Sequence, residues 1–215
     1  MNEKDKLDYR LYLVTDRSLV GSKDFYQSIE EAILGGVTLL QLREKTLSSR
    51  DFYNTAKKVR EITKIHSVPF IINDRLDIAL AVNADGLHIG QEDLPVETAR
   101  KLLGPNKLIG VSASTIDEAI SAEKGGADYL GVGAIFPTGT KDNAKSVDIE
   151  QLRKIKQAVS IPVVAIGGIN EKNVQIVMHA DVDGVSIVSA ILAKKDVKQA
   201  ANKLLGLVEE SRKIK

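Results

Sequence analysis

The stretch TIDEAISAEKGGADYLGVG, residues 115–133, decides the fold class, because a helix signal and a strand signal follow one another in it. Thr115 with Glu118 three residues later is a helix N-capping pattern, and the glycine at 125 marks a helix end. The apolar segment 129–133 shows little polar alternation, which is typical of strands buried on both faces of a parallel sheet. The stretch therefore predicts one helix–strand unit of an α/β protein.

The same unit recurs along the chain. An amphipathic segment, 51–66, places Phe52, Ala56, Val59 and Ile62 on one helical stripe. Eight strand–helix alternations predict a single-domain (β/α)8 TIM barrel. The alternative, an open doubly wound sheet, would need a glycine-rich turn after its first strand, and LVTDRSLVG has no G-x-G-x-x-G. The predicted strands are 10–15, 37–43, 69–73, 85–89, 107–112, 129–133, 162–167 and 183–188.

Length and composition narrow the class of protein. The 215 residues fit one domain over 1–215, in which about residues 1–8 form an N-terminal extension. With 30 basic and 29 acidic residues the chain has no basic field for nucleic acid, and without cysteine it has no thiolate chemistry. The charged N-terminus lacks an apolar signal region, and no apolar stretch reaches the roughly 20 residues that span a bilayer. We expect a cytoplasmic protein with no membrane partner, and the sequence is compatible with a homo-oligomer.

Polar residues stand at the ends of nearly all predicted strands. In a TIM barrel the carboxyl ends of the strands form one rim, and that rim carries the active site. We therefore expect these side chains to converge. With the glycines and the valine that stand beside them, the strand-end residues are Gln41, Arg43, Lys45, Asn73, Asp74, His88, Gln91, Asp93, Ser112, Thr138, Lys141, Gly167, Gly168, Val188 and Ser189.

The segment IFPTGTK, residues 135–141, has the chemistry of an anion site. Threonine hydroxyls donate to phosphate oxygens, glycine lets the backbone come close, and lysine supplies a point charge. Two carboxylates, Asp74 and Asp93, follow adjacent strands, and Arg43 and Lys45 add cations. Because Mg²⁺ takes one or two carboxylates together with phosphate oxygens, the rim predicts magnesium and a highly charged phosphate ligand.

The charged residues also have structural interpretations. Arg43 and Lys45 can serve as ion-pair partners of Glu44 or Asp74 at the rim. Asp74 and Asp93 can cap the helices that follow them, which is a common use of aspartate. Capping and metal binding do not exclude one another.

The remaining rim and strand residues have structural interpretations too. His88 lies in an apolar strand and is expected to be a hydrogen-bonded core or rim histidine rather than a catalytic one. Tyr12, Tyr129 and Phe136 are expected to pack rather than to stack on a ligand. The glycines at 167 and 168 can form a simple strand-to-helix turn.

The order and spacing of seven motifs resemble the thiamine-phosphate synthase family over about residues 10–193. One departure is Ala134, where the family often has proline, and Gly139 stands at a position where the residue type varies in the family. The motifs are YLVTD (12–16), QLREK (41–45), NDR (73–75), ADGLHIGQEDL (84–94), GADYLGVGAIFPTGTK (126–141), AIGGI (165–169) and GVSIVSAI (184–191).

The resemblance implies a reaction between two small-molecule substrates. A 4-amino-2-methyl-5-hydroxymethylpyrimidine diphosphate would be joined to 4-methyl-5-(2-phosphoethyl)thiazole, or its carboxylated form, giving thiamine phosphate and pyrophosphate. Diphosphate would leave first, and the thiazole nitrogen would capture the pyrimidine cation. Such a reaction needs Mg²⁺ and no protein nucleophile.

The resemblance also implies roles for individual residues. Asp74 and Asp93 would bind the magnesium ion, and Lys141, Arg43 and Ser112 would act in catalysis. The pyrimidine diphosphate would be held by Gln41, Leu42, Arg43, Glu44, Lys45, Asn73, Ser112 and Lys141, and the thiazole phosphate by Thr138, Gly139, Thr140, Gly168, Val188 and Ser189.

Three other functions compete with this one. A thiazole tautomerase would bind a thiazole phosphate but would have no diphosphate to activate, so it would not need the Asp74 and Asp93 pair. A phosphosugar isomerase or lyase would need a general acid–base pair, whereas this rim is richer in anion ligands. A non-catalytic barrel that binds thiamine precursors would not need the metal carboxylates.

Overall fold

The computed structural model describes residues 7–139 and 146–213, and within them eight parallel strands close into a barrel in the order β1 to β8. Each strand pairs with the next along the chain, and β8 pairs with β1. The predicted TIM barrel and its eight strand positions are thus confirmed. The strands are β1 Leu11–Val14, β2 Leu39–Leu42, β3 Phe70–Asn73, β4 Gly86–Ile89, β5 Leu108–Ala113, β6 Tyr129–Val132, β7 Val163–Ile166 and β8 Gly184–Ile187.

Helices follow the strands on the outside, and their signals are local. Thr115 and Glu118 form the predicted capping box at the start of α5, and Gly125 ends that helix. The stripe of α2 is buried at Phe52, Ala56 and Val59, while Ile62 is partly buried against the core. The helices are α1 Phe25–Leu34, α2 Ser49–Ile65, α3 Leu76–Ala81, α4 Val96–Leu103, α5 Ile116–Lys124, α6 Ile149–Ala158, α7 Val174–Met178, α8 Ser189–Leu192 and α9 Val197–Lys213.

Two apolar layers make up the core. The larger layer lies between strands and helices, and the smaller fills the barrel with side chains such as Tyr12, Leu39, Ile71 and Tyr129. Because side chains alternate along a strand, Gln41 belongs to the interior while its neighbour Leu42 packs in the outer layer. In the described parts of the chain, no helix combines the length and the apolar character that crossing a bilayer requires.

A repeated ion pair closes the amino-terminal end of the barrel. The Asp85 carboxylate, just before β4, accepts from the backbone N–H of Phe70 at 2.8 Å and from both terminal nitrogens of Arg60 on α2. The same carboxylate, strand N–H and cation recur before β6 and β8, in Asp128 with Ile109 and Arg100, and in Asp183 with Val163 and Lys156. Each aspartate thus ties two strands to an outer helix.

We expect Asp85→Ala to lower the free energy of unfolding by about 2–4 kcal/mol. The substitution leaves the buried N–H of Phe70 and the partly buried guanidinium of Arg60 without their carboxylate partner. Urea denaturation of the purified chain measures this difference. The matched control is Asp77→Ala, which breaks the more exposed Arg75–Asp77 ion pair and should cost less than about 1 kcal/mol. Equal costs for the two variants would contradict the structural role of Asp85.

Candidate active site

One side of the rim is a cluster of charges on the loops after β2 and β3. Lys45 donates to the Asp74 carboxylate, and the Asn73 side-chain amide donates to the other oxygen of Asp74 at 2.8 Å. The backbone of Asp74 is in the left-handed region, with φ 59°, and its N–H donates to the carbonyl oxygen of His88. The chain therefore turns sharply after β3 and holds this carboxylate beside the cation.

Asp74 and Asp93 come together, as expected from their positions after adjacent strands. Burial, and next the negative charge of Asp74, raise the pKa of the Asp93 carboxyl, while a hydrogen bond from Gly90 and the charge of Lys45 oppose the shift. One oxygen of Asp93 accepts from the Gly90 N–H at 2.7 Å. Two neighbouring carboxylates that repel one another form a site that a cation would stabilise.

The alternative that these aspartates cap helices is wrong. The N-cap position of α3 is Arg75 and that of α4 is Pro95, and neither helix has a side-chain capping hydrogen bond. The side chains of Asp74 and Asp93 are directed instead to Lys45, Asn73 and Gly90.

The loop after β2 holds its predicted residues in different ways. Arg43 lies 3.7 Å from the carboxylate of Asp16, and Glu44 pairs with Arg17. Lys45 contacts Asp74, as expected, whereas Arg43 pairs with neither Glu44 nor Asp74. The side chain of Leu42 is fully buried in the outer core, so it is not available to a ligand at the rim.

The opposite side of the rim is a cavity of about 390 Å³. It collects four of the residues predicted to hold the thiazole phosphate, namely Thr138, Gly139, Gly168 and Ser189. Val188 does not line this cavity and packs instead over the barrel interior. Thr140 and Lys141, which were also predicted for the site, lie outside the described residues. The remaining lining residues are Asp16, Ser18, Leu19, Pro137, Ile169 and Asn170.

Gly168 is a structural requirement of this cavity as well as one of its walls. Its φ of 62° lies in the left-handed region. A methyl group on it would come 2.7 Å from the Phe136 Cβ and from the Pro137 carbonyl oxygen. The glycine thus lets the loop after β7 pack directly against the loop that carries Thr138.

Between the two sides, Gln41 and Ser112 reach the rim from the barrel interior. The Gln41 amide donates to the Tyr12 hydroxyl at 2.6 Å, and the Ser112 hydroxyl lies 3.1 Å from Nε2 of His88. His88 is buried, and its Nδ1 lies 3.1 Å from the Tyr129 hydroxyl, so the expectation of a hydrogen-bonded core histidine is confirmed. Tyr12 and Tyr129 pack as expected, and their hydroxyls also bond to each other.

Two residues of the rim, Asp16 and Asn170, were missed from the sequence. Asp16 accepts from the N–H and the hydroxyl of Ser18 and faces Arg43, and Asn170 donates to the carbonyl oxygen of Gly168. A signal existed for Asp16, because it follows β1 directly in YLVTD and the other seven strand ends were considered. Asn170 similarly ends the segment GGIN after β7.

The charge cluster fits magnesium better than a metal that requires a full protein cage. Within 7–139 and 146–213, no group of three or more histidine and carboxylate side chains is arranged to hold a metal. Asp74 and Asp93 offer carboxylate oxygens only, which suits a hard cation that takes its other ligands from phosphate and water. The arrangement can therefore hold a metal-bound diphosphate on one side and a phosphate on the other.

Comparison with known proteins agrees with this geometry. Residues 11–191 match the family described as thiamine monophosphate synthase. The thiamine-phosphate synthases of Clostridium tetani and Clostridium acetobutylicum are 56% and 55% identical, over 95% of this chain and 98% and 97% of theirs. The structure of thiamine phosphate pyrophosphorylase from Pyrococcus furiosus superposes with a TM-score of 0.89 at 44% identity, covering 98% of this chain and 99% of that one. This chain belongs to the thiamine monophosphate synthase family.

Proposed function

We propose that this chain is a thiamine-phosphate synthase, and that its rim joins a 4-amino-2-methylpyrimidinylmethyl diphosphate to a thiazole phosphate. The carbon–oxygen bond to the diphosphate breaks first, and both bonding electrons leave with the diphosphate. The cation that remains is stabilised by the aminopyrimidine ring. The thiazole nitrogen then forms the new carbon–nitrogen bond with its lone pair, giving thiamine phosphate and pyrophosphate.

This chain's residues act by orienting substrates and neutralising charge, and no side chain forms a covalent bond to substrate. Arg43, Lys45 and Lys141 balance the charge on the departing diphosphate, which is the kind of preorganised stabilisation that speeds such a step. Gln41, Asn73 and Ser112 hold the pyrimidine diphosphate. The cavity with Thr138 and Gly168 holds the thiazole phosphate, together with the predicted contributions of Thr140, Val188 and Ser189. Glu44 and the backbone of Leu42 complete the pyrimidine side.

The metal in this proposal is Mg²⁺, held by Asp74 and Asp93. When bound, it supplies positive charge to the diphosphate oxygens. Support comes from the placement of the two carboxylates, because Asp74 and Asp93 lie close enough to interact with each other at the rim. Lys45 contributes to the same charge balance from its contact with Asp74.

One observation carries the proposal: a paired carboxylate site beside Lys45 and a cavity containing Thr138, Gly168 and Ser189 lie on a single rim. A thiazole tautomerase needs the cavity but not the carboxylate pair. A phosphosugar isomerase needs a poised acid and base, whereas the histidine nearest the rim, His88, is engaged by Tyr129 and Ser112. The cytoplasmic location and the homo-oligomer stay predictions from the sequence.

An omission series tests the proposal. Purified chain is incubated with magnesium and both substrates, and then with each substrate alone, and thiamine phosphate is measured by chromatography. We expect the product only when both substrates are present. Rearrangement of the thiazole phosphate alone, without condensation, would support the tautomerase. Binding of both compounds with no turnover would support a non-catalytic barrel.

Magnesium should stabilise the fold through Asp93. At a hundredfold excess over its dissociation constant, a ligand adds about 2.7 kcal/mol, which in a chain of this size raises Tm by about 5–10 °C. We expect Asp93→Asn to lose most of this gain. Without magnesium, the variant should melt no lower than the wild type, since it no longer places a second negative charge beside Asp74.

Differential scanning fluorimetry with and without magnesium measures both effects, independently of turnover. Asp117→Asn, an exposed aspartate in the first turn of α5, is the control and should keep the full magnesium shift. A full shift in Asp93→Asn would overturn the metal assignment.

A further inference from the structure

A continuous line of side-chain hydrogen bonds crosses the barrel interior beneath the rim. It runs from the Gln41 amide to the Tyr12 hydroxyl at 2.6 Å and on to the Tyr129 hydroxyl at 2.8 Å. From Tyr129 it continues to Nδ1 of His88 at 3.1 Å, and from Nε2 of His88 to the Ser112 hydroxyl at 3.1 Å. The two ends, Gln41 and Ser112, are the residues assigned to the pyrimidine substrate.

The interior members of this line are shielded from water. Tyr12 is 2% exposed, Tyr129 0% and Gln41 3%. Burial raises the pKa of both tyrosine hydroxyls, so they stay protonated throughout the physiological range. In such an environment a broken link leaves a buried polar atom without its partner, and the remaining links weaken with it.

One assignment of the hydrogens satisfies every link of the line. The Gln41 amide donates to the Tyr12 hydroxyl, so that hydroxyl can donate its own hydrogen bond to Tyr129. The Tyr129 hydroxyl can in turn donate to Nδ1 of His88. His88 then carries its hydrogen on Nε2 and donates to Ser112. With this assignment every hydrogen along the line has an acceptor, and the hydroxyl hydrogen of Ser112 is left for a ligand.

Glycines on neighbouring strands reserve the space for these rings. A methyl group on Gly110 would overlap the Tyr129 ring and lie 2.5 Å from Nδ1 of His88. A methyl group on Gly131 would lie 3.0 Å from Cε1 of His88. The barrel interior is thus built to fit Tyr129 and His88 side by side.

We propose that Tyr12, Tyr129 and His88 are positioning residues, whose hydrogen-bonded line fixes Gln41 and Ser112 for binding of the pyrimidine diphosphate. The inference rests on the proposed function, because that function assigns both ends of the line to one substrate. Loss of a link therefore weakens binding of the pyrimidine diphosphate and leaves the thiazole phosphate cavity intact.

The test compares the hydroxyls of two buried tyrosines, Tyr129 and Tyr9, whose rings pack against each other. Tyr129→Phe removes two links, whereas Tyr9→Phe removes the hydroxyl of a buried tyrosine whose ring lies 5.3 Å from that of Tyr129 and which takes no part in the line. We expect Tyr129→Phe to raise KM for the pyrimidine diphosphate roughly three- to tenfold, as for loss of buried hydrogen bonds, with KM for the thiazole phosphate within about twofold of wild type. Tyr9→Phe should change neither constant.

Tyr12→Phe gives a second measurement and replaces Tyr129→Phe should that variant fail to fold. Because Tyr12 and Tyr129 belong to one line, the double variant should lose less than the product of the two single effects. Equal KM values in Tyr129→Phe and Tyr9→Phe, or equal changes for both substrates, would overturn the inference. Should the wild type make no thiamine phosphate, the proposed function fails, and calorimetric binding of pyrimidine diphosphate to the same variants decides the inference separately.

Discussion

Lys141→Ala is expected to lower kcat roughly 10²- to 10³-fold, the cost of removing one preorganised electrostatic donor. Lys141 lies outside the described residues, so the expectation rests on its place in TGTK and on the proposed chemistry. The diphosphate gains charge as it leaves, and a cation that touches it should interact more strongly in the transition state than in the ground state. An interaction of that kind appears in kcat rather than in KM.

Steady-state kinetics with each substrate varied in turn measures this effect, and Thr138→Val provides the contrast. The phosphate assigned to Thr138 does not change charge, so we expect a roughly tenfold rise in KM for the thiazole phosphate with kcat nearly unchanged, when chemistry is slow relative to dissociation. Lys101→Ala, at an exposed lysine on α4, is the control for loss of charge. A normal kcat in Lys141→Ala, or a defect of kcat alone in Thr138→Val, would refute this division of roles.

Gly168→Ala is expected to lower kcat/KM for the thiazole phosphate roughly 10²-fold, the penalty of misplacing a substrate by about 1 Å. The added methyl would meet the Phe136 Cβ and the Pro137 carbonyl oxygen at 2.7 Å, and the φ of 62° disfavours any side chain. The two loops must therefore separate, and Thr138 must move with one of them.

The matched control is Gly206→Ala in α9, where the added methyl meets nothing within 4 Å. It should keep full activity and gain up to about 1 kcal/mol of stability from the better helix former. Steady-state assays in which the thiazole phosphate concentration is varied give kcat/KM for both variants and distinguish them. Wild-type kcat/KM in Gly168→Ala would show that the close packing of the loops does not shape the cavity.

The fold was predictable because its signals are local. The strands are buried on both faces and therefore read as nearly continuous apolar runs, such as VVAI in β7. The capping box at Thr115 and Glu118 fixes the start of α5 within four residues of sequence. Eight such units in succession leave few ways to bury the apolar surface other than closure into a barrel.

Part of the candidate site was predictable for the same reason. The barrel brings the carboxyl ends of all strands to one rim, so Asp74 and Asp93 meet although they are 19 positions apart in the sequence. The alternation of a strand likewise places Gln41 in the interior. The same alternation turns the side chain of Leu42 into the outer core, and only the family resemblance had assigned that residue to the substrate.

The pairing of individual polar groups was not predictable. Tyr12 and Tyr129 are 117 residues apart, and nothing in either segment indicates that their hydroxyls bond to each other. The same holds for Arg43, whose partner Asp16 comes from another strand end than the two considered. Such contacts depend on the three-dimensional register of the barrel, and side-chain reach decides among several partners at similar distance.

The central claim is that one rim joins two anionic substrates and releases diphosphate, and the stoichiometry of the products tests it most directly. Purified wild-type chain is given both substrates and magnesium, and thiamine phosphate and pyrophosphate are measured in the same samples over time. We predict that the two products form in equal amounts, and that excess EDTA stops both until magnesium is restored. Pyrophosphate released without thiamine phosphate, or undiminished turnover in EDTA, would contradict the account.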